Sequence, residues 1–450
     1  MKVSFLSILL LVSCSLLCAQ QVAPFKAGDR VAFVGNSITH GGHYHSYIWL
    51  YYMTRFPSEQ MWMANCGVGG DTAEDILRRF DDDVASKNSS VIGLTFGMND
   101  SDKNKSRKSF LEIEKKLQKL SDTRVVMIGS SPYDQTSTIN HNISRGKNDI
   151  IQSIVAFQDS AAKTNRWDFV DFNAPMCEVN ERMHKENPAF TVIGNDRVHP
   201  DNDGHMLMAY LFLKAQGMVG KPIADFCIDA RRKKAEKSEN CTIDNISSTK
   251  DVLSFDYLAE ALPYPLDTIP RGWSSFKRSQ SEITKMIPDF NDEMNHEGLA
   301  VKGLKGDWRL LIDDILIDTL SAQMLEDGVN LTDYRYTPQY RQALAVMELN
   351  EERWGIEYRM RDFALLQYSW FLKKHNITDF TSEDAARIYR NEEAQNSFIK
   401  SHYEDRKAMY DRLIHPEVRQ LLQQEQELIV HTIYSINNPV IRHFRLEKIK

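Results

Sequence analysis

Residues 30–39 read RVAFVGNSIT, an apolar run that ends in a glycine and is followed two positions later by a serine. A short unbroken apolar run is typical of a strand buried on both faces of a parallel sheet. Gly35 permits a sharp exit from such a strand, so that the hydroxyl of Ser37 projects at the carboxyl end of the sheet. A serine at this position is also typical of a helix cap or a turn, and the stretch alone leaves both interpretations open.

The same pattern recurs along the first 220 residues. Apolar runs at 61–65, 91–96, 124–128 and 169–172 predict further buried strands, and amphipathic stretches near 46–56, 72–86, 107–121 and 145–164 predict helices between them. Alternating strands and helices predict an α/β fold, with a parallel sheet between two helix layers. In such sheets ligands bind in the crevice beyond the carboxyl ends of the strands.

Two more polar motifs follow predicted strands. Residues 65–72 read NCGVGGDT, and the Gly70 N–H is a candidate donor to an oxyanion because glycines let main chain approach a bound group closely. Residues 97–100 read GMND, and the side chain of Asn99 offers an uncharged N–H donor. The alternatives are a tight turn in which Asp71 or Thr72 caps the next helix, and an Asx-turn at Asn99.

A fourth motif, DRVHP at 196–200, precedes the predicted helix 204–214. Three residues of separation in a turn can bring the Asp196 carboxylate to one imidazole nitrogen of His199, which leaves the other nitrogen to take a proton from a serine. Pro200 disfavours helical backbone at His199, so the imidazole should stay on the loop. A helix-start arrangement is the alternative for an Asp/His pair considered by itself.

Together the four motifs resemble the SGNH (GDSL) hydrolase family, over about residues 26–218. The resemblance implies a three-layer αβα, flavodoxin-like domain with Ser37 as nucleophile, His199 as general base and Asp196 orienting it. It also implies oxyanion donors from the Ser37 N–H, the Gly70 N–H and the Asn99 side chain, and no cofactor. Asn36 departs from the family's name motif, which has aspartate there, and this puts the local loop geometry in doubt. The Gly-x-Ser-x-Gly elbow of α/β-hydrolases is absent around Ser37.

Several polar residues near these motifs are further candidates. His40, His43 and His45 follow Ser37 closely, but their spacing matches no metal motif, so we expect a polar rim of the substrate cleft and no metal. Tyr133, with Ser130 and Ser131, follows the fourth predicted strand and is a candidate for the same rim. Ordinary turn roles are equally compatible with these three residues.

The chain divides into four predicted parts: a signal peptide at 1–20, the hydrolase domain at 21–220, a linker with a small β-rich region at 221–335, and a helical C-terminal region at 336–450. The basic cluster 231–237 is expected in the linker, and 308–320 predicts a hairpin around Asp313 and Asp314. Residues 339–374 predict a long helix, and Pro416 opens another that ends near residue 436. Aromatic residues of the long helix are expected to pack in helical hairpins or, alternatively, to line a sugar-binding surface: Trp354, Tyr358, Phe363, Tyr368, Trp370 and Phe371.

The composition limits the classes of partner that the protein can bind. A net charge of −7 and a pI near 6.0 provide no basic face for nucleic acid. The N-terminal apolar segment predicts a secreted or periplasmic protein without a membrane span; a lipoprotein anchored through Cys14 in the outer membrane is the alternative. Cys227 and Cys241 are expected either to pair as a disulfide or to stay as thiols.

The layout is similar to that of secreted bacterial carbohydrate esterases, which implies O-acetyl removal from an acylated glycan as the activity. A lipid or thioester hydrolase would use the same three residues with a long apolar acyl pocket. A non-catalytic glycan-binding protein is the third hypothesis, and the presence of all four motifs opposes it.

Overall fold

A computed structural model of the protein describes residues 22–271, 278–390 and 403–449. The predicted signal peptide at 1–20 and the alternative anchor at Cys14 lie outside these residues, so secretion stays a prediction. Among the described residues, no helix is long and apolar enough to cross a membrane.

The first half of the chain forms the predicted parallel sheet, in the order β2-β1-β3-β4-β5. Its strands are β1 Arg30–Gly35, β2 Trp62–Gly67, β3 Val91–Phe96, β4 Arg124–Gly129 and β5 Asp168–Asp171. In the register of the first two pairs, Gly35 lies beside Gly67 and Val34 beside Leu94, so the loops that follow β1, β2 and β3 leave the same edge of the sheet. The crevice at this edge is therefore built by the segments that carry the sequence motifs.

Helices cover both faces of this sheet. They are α1 Ser37–Gly41, α2 Tyr44–Arg55, α3 Ala73–Arg79, α4 Lys103–Leu117, α5 Lys147–Asn165, α6 Asn173–His184 and α7 Asn202–Ala215. One apolar core joins the sheet to α2 and α7, and a second joins its other face to α3, α4 and α5. The predicted three-layer α/β architecture is confirmed.

The β-rich region consists of two further sheets packed on each other. The four-stranded sheet has the order β13-β10-β6-β7, and the five-stranded sheet has the order β12-β11-β14-β9-β8. Their strands are β6 Ala224–Asp229, β7 Lys234–Glu239, β8 Cys241–Ser248, β9 Val252–Ala259, β10 Glu297–Lys302, β11 Asp307–Ile312, β12 Ile315–Ser321, β13 Val329–Asn330 and β14 Arg442–Lys448. Phe226 and Tyr257 stack across the two sheets, with ring centroids 4.8 Å apart.

Two sequence expectations need correction in this region. The basic cluster 231–237 is not a linker, because it forms the turn and strand β7 that pair with β6. The end of the chain is not helical, because β14 inserts between β9 and β11. Alternation of apolar Phe444 and Leu446 with polar residues is the signal that marks β14 as a half-buried strand. Cys227 and Cys241 are free thiols.

The helical region packs directly on the hydrolase domain. Three short helices precede it: α8 Ile283–Met286, α9 Phe290–Met294 and α10 Ala322–Asp327. The helical region begins with α11 Pro338–Leu365, which continues as a π-helical segment Leu366–Leu372 and as α12 Lys373–His375. Its remaining described helices are α13 Glu383–Arg390, α14 Tyr403–Leu413 and α15 Pro416–Ile436. Val346 and Met347 of α11 belong to the same apolar core as Tyr47 and Trp49 of α2. The two regions thus share one hydrophobic core.

Candidate active site

Three side chains meet at the carboxyl end of β1. His199 Nε2 lies 2.8 Å from Ser37 Oγ, and His199 Nδ1 lies 2.5 Å from Asp196 Oδ2. One nitrogen of the imidazole thus contacts the hydroxyl while the other contacts a carboxylate, which is the arrangement needed to take a proton from a serine. The structure brings together the three residues that the sequence singled out, although they come from segments 160 residues apart.

The loop that carries Asp196 and His199 is held by its own backbone. Asp196 Oδ1 accepts the backbone N–H groups of Val198 and His199, each at 2.9 Å. The Gly194 N–H donates to the His199 carbonyl at 2.7 Å, which closes the loop. These bonds fix the carboxylate and the imidazole relative to each other before any substrate binds.

Arg197 fastens this loop to the domain, and sequence reasoning missed it. Its backbone adopts a φ of +66°, and its side chain is 1% exposed. The guanidinium donates to four carbonyls of the loop after β4: Asp134 at 3.0 Å, Ser137 at 3.1 Å, Ile139 at 2.8 Å and His141 at 3.2 Å. The arginine inside the DRVHP motif was visible in the sequence. Its four main-chain partners could not be predicted, because they lie 56 to 63 positions earlier in the chain.

The electrostatics keep Asp196 ionised. Partial burial would raise the pKa of this carboxyl, but the hydrogen bond and charge of His199, with the two backbone N–H groups, hold the pKa below its usual value. A carboxylate that stays ionised fixes the His199 tautomer with its proton on Nδ1. The second nitrogen is then an acceptor for the Ser37 hydroxyl.

Helix α1 presents the nucleophile. Asn36 caps it, because its Oδ1 accepts the Ile38 N–H at 3.0 Å. An aspartate makes the same cap, so the departure from the family motif conserves the geometry of the helix start. Gly35 is required before the cap: a Cβ at this position would lie 2.2 Å from Thr39 Oγ1.

The candidate oxyanion donors lie on the loops after β2 and β3. Gly70 is exposed and has a φ of +80°, a left-handed conformation that favours glycine. Asn99 Nδ2 donates to the carbonyl of Asp71 at 3.1 Å, which places this side chain against the residue that follows Gly70. Thr72 caps α3 in a capping box with Asp75, so the alternative role that we considered for Thr72 is present as well.

A small pocket opens beside Ser37, with a volume of about 20 Å³. Its polar lining includes residues that sequence reasoning did not identify: Asn202 and His205 of α7, and Arg271. Desolvation holds the pKa of His205 well below its usual value, so this imidazole is neutral. A space of this size has room for about one water-sized or methyl-sized group.

The three histidines after Ser37 are buried and do not form a polar rim of the substrate cleft. This corrects the sequence expectation for His40 and His45. His40 and His45 are 1% and 2% exposed and lie in the interior. His40 Nδ1 accepts the Gly69 N–H at 3.2 Å, and His45 Nε2 contacts the Thr39 carbonyl at 3.1 Å. His43 is equally buried but does line the pocket beside Ser37.

Tyr133 is also buried, at 4% exposure, and is not a rim residue. Its hydroxyl accepts the Ser144 N–H at 2.9 Å and donates to the Asn142 carbonyl at 3.3 Å. These two bonds close the loop after β4, so the tyrosine has a structural role there.

Helix α11 supports the site from behind His43, which the sequence could not reveal. The ring of Trp354 stacks on His43 with centroids 3.9 Å apart, and its Nε1 donates to the Gly42 carbonyl at 3.3 Å. Glu351 Oε2 lies 3.3 Å from His43 Nε2. Trp370 and Phe371 are buried in a separate helical core, so these two side chains do not line the open sugar-binding surface considered above. Trp354, Tyr358 and Tyr368 are half-buried, and for them that alternative stays a prediction.

Within the described ranges, no group of three or more His, Cys, Asp or Glu side chains is arranged to hold a metal ion. His40, His43 and His45 each face different partners, and the nearest carboxylates to the first two are Asp362 and Glu351. The arrangement of Ser37, His199 and Asp196 is that of nucleophilic acyl transfer.

The chain is similar to several known proteins. Residues 33–207 match the model of the GDSL-like lipase/acylhydrolase family, and residues 344–438 match the model of the diltiazem deacetylase C-terminal helical domain. A solved structure described as BT4096, a gut microbial diltiazem-metabolizing enzyme, is 46% identical, covers 96% of this chain and 100% of its own, and superposes with a TM-score of 0.92.

More distant structures align with less than half of the chain. A catalytic mutant of Axe2, an acetylxylan esterase from Geobacillus stearothermophilus, is 20% identical over 43% of this chain and 96% of its own, with a TM-score of 0.35. The acetyl xylan esterase AlAXEase is 24% identical over 41% of this chain and 98% of its own, with a TM-score of 0.37. No curated protein matches the chain significantly. The family match and the full-length similarity show that the chain belongs to the GDSL-like lipase/acylhydrolase family of SGNH hydrolases.

Proposed function

We propose that the protein is a deacetylase that hydrolyses O-acetyl esters through an acetyl-enzyme on Ser37. The observation that carries the proposal is the hydrogen-bonded series Asp196–His199–Ser37 beside a pocket of about 20 Å³. Full-length similarity to a diltiazem-metabolizing enzyme supports it, as does the match of the helical region to a domain model named for diltiazem deacetylase.

In the acylation step, Ser37 Oγ attacks the acetyl carbonyl while His199 Nε2 takes the hydroxyl proton. The carbonyl oxygen becomes an oxyanion, for which the Ser37 N–H, the Gly70 N–H and Asn99 Nδ2 are the proposed donors. An amide nitrogen carries two hydrogens, so the contact of Asn99 with Asp71 uses one of them. The C–O bond to the alcohol then breaks, and the alcohol leaves with the proton from His199.

In the deacylation step, His199 takes a proton from a water molecule, and the resulting hydroxide adds to the acetyl-serine carbonyl. The bond to Ser37 Oγ breaks, the serine regains its proton from His199, and acetic acid leaves and ionises to acetate in solvent. Asp196 stays ionised through both steps and stabilises the imidazolium that forms in each.

The natural substrate class that we propose is an O-acetylated carbohydrate, as the layout of the chain implied. Polar side chains lie around the nucleophile, among them His43, Asn202 and Arg271, and they suit a substrate that bears further hydrogen-bonding groups. Acetylated drugs such as diltiazem are the second candidate, favoured by the 46% identity to the diltiazem-metabolizing enzyme.

One experiment separates these substrates. Purified protein is incubated with acetylated xylan, with fully acetylated mono- and oligosaccharides and with diltiazem, and the released acetate is measured against the same reactions with Ser37→Ala. The proposal expects Ser37-dependent acetate release, with higher kcat/KM on at least one carbohydrate than on diltiazem. Release from diltiazem alone would make the drug-type ester the substrate class, and no release from any acetyl ester would refute deacetylation.

The two other hypotheses are less compatible with the site. A lipid or thioester hydrolase needs a long apolar acyl pocket, and the pocket beside Ser37 is small, with polar side chains among its lining. A glycan-binding protein without activity has no need for a serine hydroxyl 2.8 Å from an imidazole that is itself bonded to a carboxylate.

A further inference from the structure

The second motif loop, residues 65–71, lies against one face of α11 and of the π-helical segment that follows it. The contacting side chains lie four and eight positions apart, two on α11 and one on the π-helical segment that continues it. Their contacts follow the loop in order: Glu357 Oε1 accepts the Asn65 N–H at 2.7 Å, Arg361 Nε donates to the Gly67 carbonyl at 3.0 Å, and Ser369 Oγ lies 3.5 Å from the Gly69 carbonyl.

The arginine at the centre of this face belongs to a buried ionic network. Arg361 donates through both terminal nitrogens to Asp83, at 2.8 Å each, and Asp83 also accepts Arg79 Nη1 at 2.6 Å. All three side chains are at most 5% exposed. Burial would raise the pKa of Asp83, but the two guanidinium groups hold it below its usual range, so the carboxylate is ionised.

The network reaches two of the loops that build the catalytic centre. Arg79 Nη2 donates to the carbonyl of Gly35 at 3.1 Å, two residues before Ser37. Arg79 Nε donates to Asp71 Oδ2 at 2.7 Å, one residue after Gly70. A continuous series of charge-assisted hydrogen bonds therefore joins α11 to the nucleophile loop and to the loop of the proposed oxyanion donor.

Charge-assisted hydrogen bonds are stronger than hydrogen bonds between neutral groups, so they hold the main chain more firmly. A bidentate arginine–carboxylate pair also fixes the relative orientation of the two side chains. Gly70 itself has no side chain to restrain it, and its backbone is in the left-handed region. The position of its N–H therefore depends on how the carbonyl of Gly67 and the side chain of Asp71 are held. Misplacement of a donor by about 1 Å can cost about a hundredfold in rate.

We propose that Arg361 is a positioning residue for the oxyanion hole, so that the C-terminal helical region forms part of the catalytic apparatus. The inference rests on the proposed acyl transfer through Ser37 and on Gly70 as a donor. Arg361 contacts no reacting atom and acts through Gly67 and Asp83.

The test uses the full-length protein with three variants. Arg361→Lys keeps the buried positive charge but loses the bidentate pairing, and the double variant Arg361→Met with Asp83→Asn removes one charge of each sign. The matched control is Arg359→Met, which removes an exposed arginine from the same helix two residues away. Active sites are counted by end-point titration with a fluorophosphonate, which reacts only where Ser37 is activated, and kcat on p-nitrophenyl acetate is then expressed per titrated site.

We expect both Arg361 variants to lose about tenfold to a hundredfold in kcat per titrated site, with KM changed less than threefold, while the control matches the wild type. A merely structural role would lower the number of titratable sites and leave the rate per site unchanged, and that result would overturn the inference. If the double variant does not fold, Arg361→Lys decides by itself, because it leaves no buried charge unpaired. A wild-type protein that the fluorophosphonate does not label would refute the proposed nucleophile instead.

Discussion

The Ser37 hydroxyl is 2.8 Å from His199 Nε2 and sits on a side chain only 8% exposed. Replacing it by alanine removes one oxygen from a site whose other bonds are made by different residues. We expect Ser37→Ala to lose about 10⁶-fold in kcat, because the nucleophile and base of such a triad act as a unit. The assay is acetate release from p-nitrophenyl acetate, and the melting temperature should stay within about 2 °C of the wild type.

The control for this variant is Ser153→Ala, an exposed serine on α5 whose hydroxyl bonds only to the preceding turn. It should keep wild-type activity. Retention of a tenth of the wild-type rate by Ser37→Ala would show that another residue is the nucleophile.

The residues of the triad could be predicted because each one sits in a short motif directly after a strand or before a helix. The residues that hold the triad and its loops in place could not be predicted. Arg197 bonds to a loop about 60 residues earlier, and Arg361 to main chain 294 residues earlier, so neither leaves a local pattern in the sequence. The role expected for His40 was wrong for the same reason, since Asp362 of α11 lies against it. His45 is instead buried against Phe33 of β1, within the hydrolase domain.

At the scale of elements, α1 is a helix of five residues whose start depends on the Asn36 cap. Aspartate and asparagine are about equally good caps, whereas alanine at such a position costs about 1 kcal/mol. We therefore expect Asn36→Asp to keep kcat within about threefold, and Asn36→Ala to lower the free energy of unfolding by about 1 kcal/mol. Urea unfolding and the esterase assay measure the two effects.

This pair of variants tests the geometry that the departure from the family motif put in doubt. Asn36→Asp adds a negative charge beside the nucleophile and preserves the cap, whereas Asn36→Ala adds no charge and removes the cap. If Asn36→Asp loses activity and Asn36→Ala does not, charge at this position governs the rate and capping does not.

His45, at the start of α2, makes stability depend on pH. Burial lowers its pKa from 6.5 to about 4, and the nearby Glu357 carboxylate offsets this only in part. Between these two values the unfolded chain binds a proton that the folded chain does not, so the free energy of unfolding falls as the pH falls from about 6.5 to about 4. At pH 5 this one group should cost about 2 kcal/mol relative to pH 7.5.

The measurement is urea unfolding at pH 7.5 and pH 5 for the wild type and for His45→Gln, whose amide can still donate to the Thr39 carbonyl. The variant should lose about 2 kcal/mol less than the wild type between the two pH values. His431→Gln, which changes an exposed histidine on α15, should behave as the wild type does. Equal losses in all three proteins would show that His45 is protonated in the folded state.

Long and strongly periodic elements were predictable, because their pattern survives any tertiary context. The strands of the parallel sheet, the hairpin around Asp313 and Asp314, and α15 from Pro416 to Ile436 all lie within a few residues of the expected positions. Strand β7 was missed because its sequence, KAEKSE, is almost wholly exposed and carries no apolar alternation. Strand β14 was missed because it is a single strand after a helical region and gains its partners from residues 252–257 and 308–312.

At the scale of the whole molecule, the predicted parts are not independent units. The core of the hydrolase domain includes Ala343 and Ile433 of the helical region, and β14 completes a sheet that begins near residue 241. The chain therefore crosses between regions several times, and the helical region both supports His43 of the pocket lining through Trp354 and braces the second motif loop through Arg361. The similarity to one solved structure extends over 96% of the chain, which agrees with this integration.

The residues of α1 and α7 that line the pocket beside Ser37 lead to the last prediction, which concerns the acyl group. The pocket of about 20 Å³ beside Ser37 has room for a methyl-sized group, and its walls His43, His205 and Arg271 are polar and held by further contacts. On p-nitrophenyl esters, kcat/KM should therefore be highest for acetyl and fall at least about a hundredfold by octanoyl, because a longer chain must displace packed side chains. Rates are compared at ester concentrations below micelle formation, with Ser37→Ala as the blank. If octanoyl and acetyl esters are cleaved equally well, the acyl chain must bind along another surface, and a lipid hydrolase becomes the better description of the enzyme.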